Sequence, residues 1–109
     1  MPSRPPARHE IPDIDAAALE AARAADRLLA AARERDSVRW VRYLAALPDR
    51  LRDDPLRELR AAARLGRAAF GPKDSVRDAL PGDVTEPFLE SVDRLLRVIA
   101  RHEARGEDR

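Results

Sequence analysis

The chain has 109 residues, 38% of them charged, yet 21 basic side chains against 20 acidic ones leave a formal net charge of only +1. That balance excludes a uniformly basic coat for nucleic acid, so any polyanion contact must rest on local asymmetry. The absence of cysteine excludes disulfides, thiolate catalysis and zinc–thiolate sites, and no stretch approaches the roughly 20 apolar residues of a membrane span.

Met1 to Pro12 carries four prolines and no apolar periodicity. It reads as a flexible arm, followed by a single helical domain over 13–102 and a charged, frayed tail over 103–109. The basic start lacks the apolar run of a signal peptide, so a soluble cytoplasmic protein is expected. Hydrophobic residues make up 44% of the chain, nearly half of them alanine, and aromatics only 4%. Alanine is the best helix former and a poor strand residue, so the fold class is all-α, with closely approaching helices around a few large side chains.

The first helix is expected over about 15–35. Asp15 stands at the N-cap, and Ile14 and Leu19 have hydrophobic-staple spacing around it. Asp26 falls beside the apolar face, where pairing with an arginine is expected. Asp36 or Ser37 can cap a second helix over 37–52, although one continuous helix through both is also compatible with the pattern. Pro48 removes a backbone donor, so a kink or break is expected near Leu47. A further helix over 55–70 has Asp54 as N-cap, Pro55 at the first helical position and a stop at Gly71-Pro72. Ser75 or Asp74 can recap a short helix near 75–80. The last helix, over 86–102, begins with Thr85 as N-cap and Val84 with Leu89 as a second staple. Phe88, Val92, Leu95, Leu96 and Ile99 form its inner face, and Glu86, Glu90, Asp93 and Arg97 a solvated outer ladder. With the middle pair counted as one hairpin, these elements make a small antiparallel bundle of three main helices.

Candidate chemistry is sparse. A phosphate-binding loop needs glycine N–H groups leading out of a strand, whereas Gly71, Pro72 and Lys73 follow a helix and Pro72 has no N–H. In RAAARLGRAAF the spacing of Ala62, Leu65 and Gly66 resembles the first helix and turn of a helix-turn-helix. The chain stays helix-like through Arg67 to Phe70, however, and SVRDAL arrives about four residues late, so Gly66 reads either as a place for another helix to pack closely or as the start of fraying at the helix end. His9 and His102 lie near the two ends, and RHEARG has Gly106 where a helical zinc motif would need a second histidine. Ser37 and Ser75 each adjoin an aspartate, but capping accounts for both. No catalytic residue, cofactor or metal is expected.

Charge is concentrated in the middle, with eight arginines against four acids between Ser37 and Phe70. Arg57, Arg60, Arg64 and Arg67 recur at steps of three and four on one arc of a helix, and Arg39 and Arg42 form a similar row. These six are the candidate contacts for a polyanion or an acidic partner. Trp40, Tyr43 and Phe70 are either core anchors or an apolar patch left for a partner. The expected function is a non-catalytic helical protein–protein interaction module: an adaptor, a regulator or a small subunit of an assembly. The alternative is nucleic-acid binding through the ridge on 55–70. With so little large apolar surface, a homodimer is expected, its interface on the alanine face of the first helix.

Overall fold

A computed structural model describes residues 6–107, which form six α-helices and no strand. After a 3₁₀ turn at Arg8–Glu10 come α1 (Pro12–Glu34), α2 (Val38–Leu44), α3 (Leu47–Asp53), α4 (Leu56–Ala68), α5 (Val76–Ala79) and α6 (Gly82–Glu107). At about 1.5 Å per residue, α1 and α6 are roughly 34 and 39 Å long and span most of the 51 Å long dimension. They form the spine of the all-α fold.

α1 is surrounded. Ala17, Ala18, Ala21, Ala22, Ala24, Ala25 and Ala32 are buried with Ile14, Leu28 and Leu29, and α1 packs against α6, α3 and α2. A methyl side chain lets helix axes come close, so one helix can serve three neighbours. The alanine face expected to pair two copies is therefore consumed inside one chain. α6 runs antiparallel to α1: Asp13 lies beside Arg101 and Arg105, Glu20 beside Arg94, and Arg27 beside Glu90. α4 packs on another side of α6, also antiparallel, with Arg60 opposite Glu103 and Arg67 opposite Asp93.

Several boundaries differ from the sequence reading. α1 begins at Pro12, four residues before the start that Asp15 would cap, because proline at the first position has its φ preset and needs no N–H partner. Ile14 is consequently a buried helical residue instead of a staple before the cap. The stretch read as an arm is ordered from Arg8 to Glu10; its first five residues lie outside the described part. α1 and α2 are separate helices. Asp36 takes a left-handed φ of 52°, its N–H bonds to Arg33 O at 3.1 Å, and the Ser37 N–H bonds to Ala32 O at 3.0 Å. This is a Schellman ending with aspartate where glycine is usual. The second helix is broken just before Pro48, which sits in the first turn of α3.

Asp54 does not cap α4. Its carboxylate accepts from Arg50 Nε at 3.0 Å, its carbonyl accepts from Arg8 Nη1 at 3.0 Å, and Pro55 becomes the boundary residue. Ser75 does cap α5, accepting from the Arg77 N–H at 3.1 Å. Thr85, expected as the cap of the last helix, lies inside α6 and is fully buried, because the Pro81 carbonyl already accepts from the Val84 and Thr85 N–H groups. Pro87 is tolerated within α6 because it costs a single bond, to the carbonyl of Asp83 in the exposed first turn. α6 also continues past Arg101 as far as Glu107.

Gly66 is where α4 and α6 touch. A Cβ there would stand 2.8 Å from Phe88 Cζ and 3.2 Å from Val92 Cγ1, and the Phe88 ring is itself fully buried against Phe70 at 6.2 Å between centroids. Gly66→Ala gains up to about 1 kcal/mol of helix propensity but overpacks a ring with no room to retreat, which costs roughly 1–3 kcal/mol. Followed by the fluorescence of Trp40, the only tryptophan, thermal unfolding of Gly66→Ala is expected several degrees below that of the parent. Asp36→Gly should shift it upwards, by roughly 0.5–1 kcal/mol, because strain at a left-handed residue is removed.

Candidate functional site

Of the three aromatic candidates, Trp40 and Phe70 are buried and Tyr43 is half-buried. Trp40 is 5% exposed and Phe70 9% exposed, and Tyr43 stands edge-on to Trp40 at 5.3 Å between centroids. The Tyr43 hydroxyl donates to Leu65 O at 2.7 Å, tying α2 to α4, and burial pushes its phenol above the usual range. Arg39 lies over the Trp40 ring at 5.0 Å, a surface cation–π contact. Spacing of three on α2 serves core anchoring here, with Trp40 buried and Tyr43 half-buried beside it.

The ridge on α4 exists but is partly neutralised. Arg57, Arg64 and Arg67 are exposed, and Arg60 is half-buried. Arg60 is paired with Glu103, and Arg67 Nε lies 3.1 Å from Asp93 Oδ1. Arg39 faces Asp74 at 3.8 Å. Arg57, Arg64 and Arg42 have no ion pair among the described residues. Asp26 does meet an arginine, Arg52 Nη2, at 2.7 Å.

The segment between α4 and α6 forms a corner. α5 has only four residues, too short for a recognition helix, and Gly66 lies inside α4 instead of in a turn. The corner is fastened by Arg77, whose Nη2 and Nε donate to Glu86 at 2.7 and 2.9 Å while its guanidinium lies 5.4 Å from the centre of the Phe70 ring. Among the described residues no group of three or more His, Cys, Asp or Glu is placed to hold a metal ion, and no helix is long and apolar enough to cross a membrane.

Two surface features were not anticipated. The first is a corner between α1 and α2, a depression of about 340 Å³ formed by Arg33, Asp36, Val38, Val41 and Arg42, where Val38 is 63% exposed. Leu65, at 37%, is the other exposed large apolar side chain among the described residues. The second is the seam between α1 and α6. Two depressions, about 370 and 350 Å³, join end to end through Glu20 and Arg94. α6 contributes Arg94, Arg97, Arg101 and Arg105 to the seam, at steps of three, four and four. That periodicity was visible in the sequence but ran through a segment read partly as a frayed tail.

Comparison with protein-family models, with curated proteins and with solved structures finds no match for this chain.

The hydrogen bonds from Arg77 hold the Glu86 carboxyl below the usual carboxylate range, and Glu86 in turn raises Arg77. A depressed folded-state pKa adds stability above the unfolded value, and that stability is lost as pH falls through the folded one. Both groups are solvated, so the effect on stability is small. The expected readout is NMR titration of the Glu86 carboxyl: its midpoint lies below an ordinary glutamate in the parent and moves up in Arg77→Ala.

Proposed function

We propose that the chain is a non-catalytic helical interaction module, an adaptor, regulator or small subunit, that holds a partner protein at the corner between α1 and α2. The observation that carries this reading is Val38, largely exposed beside half-buried Val41 in a shallow depression. Almost every other large apolar side chain described is covered by the chain itself. Arg33 and Arg42 border the depression and have no ion pair among the described residues. An apolar side chain with a neighbouring carboxylate on the partner fits that pattern, since the apolar contact supplies affinity and the guanidinium groups supply orientation.

A second reading, polyanion binding along α4, draws on Arg57 and Arg64. It is supported less well, because Arg60 and Arg67 are already engaged with α6 carboxylates. Exposed pairs of this kind are worth only about 0–1 kcal/mol, so they compete weakly with an incoming phosphate. If that reading is correct, Arg57→Ala with Arg64→Ala weakens duplex DNA or RNA binding and flattens its salt dependence.

The interaction reading is tested by affinity capture from the native lysate with the parent and with Val38→Asp. The expected result is one or more proteins retained by the parent and lost from a variant whose thermal midpoint is unchanged. Identical capture by both would remove Val38 from the proposal. Light scattering on the same samples shows whether the retained partner is a second copy of the chain.

A further inference from the structure

The seam between α1 and α6 is an open groove between two antiparallel helices, and its charge is one-sided. Taking 100° per residue, Arg94, Arg97, Arg101 and Arg105 fall within an arc of roughly 80° on α6 and extend along about 16 Å of it. α1 adds Arg27 across the seam. Against these five arginines stand three acids, Asp13, Glu20 and Glu90. Only Arg94 has an ion pair among the described residues, to Glu20 at 3.4 Å.

The floor is low. Ala17, Ala24 and Ser91 are buried at its base, and the Ser91 hydroxyl is turned inward, donating to Phe88 O at 2.8 Å. Small floor residues let another backbone approach closely, and a third helix fits naturally along two that already lie side by side. No aromatic side chain lines the seam, so a single-stranded nucleic acid would find charge there but no platform for its bases.

We infer that this groove is a docking site for an acidic, amphipathic helical segment of a partner protein. Glutamates at steps of three and four on the incoming helix match the steps of the arginine row, and small apolar residues between them face Ala17, Ala24 and half-buried Val98. The inference rests on the interaction-module reading and adds to it a second face, separate from Val38, together with the chemistry of what binds there. The seam is also a continuous row along two rigid helices. The arginines of the α4 ridge, by contrast, alternate between free and paired.

The test uses the full chain and fluorescence anisotropy of a labelled helical peptide of roughly 20 residues, built from Glu, Ala and Leu with Glu at steps of three and four. The same peptide with Gln for Glu and an oligothymidine of similar length serve as comparators. The expected result is saturable binding of the Glu peptide at low salt, at least about tenfold weaker binding of the Gln peptide, and a similar loss in the Arg97→Glu, Arg101→Glu double variant. Both substituted residues are exposed, and an unchanged circular dichroism melt confirms that the variant is folded. Val38→Asp should leave peptide binding intact. The inference is overturned if the Glu peptide does not bind, if the double variant binds it as well as the parent does, or if oligothymidine binds more tightly than the peptide. Loss of lysate partners from Val38→Asp alongside any of those outcomes would remove the groove and leave the corner site standing.

Discussion

The architecture depends on how closely helices can approach when nothing larger than a methyl group stands between them. α1 buries one broad face made mostly of alanines, and Gly66 has no side chain where α4 meets Phe88 and Val92. A chain with so few aromatic and large aliphatic residues cannot fill wide gaps between helices. It reaches core density by closing them. Phe88, Leu28, Leu44, Leu51, Leu59 and Leu95 are then fully buried.

That economy has a consequence at the surface. Because most of the α1 alanines face the chain's own helices, the apolar surface left over is small and local. What remains outside is mainly charge, sorted by the packing into two kinds of arginine. Some are engaged across elements: Arg52 with Asp26, Arg60 with Glu103, Arg67 with Asp93, Arg77 with Glu86. Others, Arg27, Arg97, Arg101 and Arg105 along the α1–α6 seam and Arg33 and Arg42 at the α2 corner, form no ion pair among the described residues and keep donors for another molecule. Each solvated pair contributes little to stability, but its presence determines which part of the surface still carries net charge.

Helical class, the separation of the middle helices near Pro48, the stop at Gly71-Pro72 and the cap at Ser75 were all legible, because each depends on a residue's own backbone chemistry or on local periodicity. The cap at Thr85 was misread because Pro81 supplies a carbonyl acceptor earlier in the chain, and two competing starts cannot be ranked without knowing that Thr85 is buried. Asp15 and Asp54 failed as caps for a related reason: their carboxylates are drawn to Arg8 and Arg50. The candidate site was less legible. The row on α4 could be seen in the spacing, and so could the row on α6, but spacing alone does not show which row faces carboxylates on a neighbouring helix.

By itself, then, the sequence determined that this chain is helical, roughly where its helices run, and that its interior is built from small side chains. The tertiary structure decided which helix pairs with which, that the alanine face of α1 is covered by α6 and α3, that Trp40 and Phe70 are core, and which arginines remain without partners. The physical reason is range. Propensity, capping and periodicity act within a few residues along the chain, whereas burial and ion pairing join residues such as Glu20 and Arg94 that only the folded chain brings together.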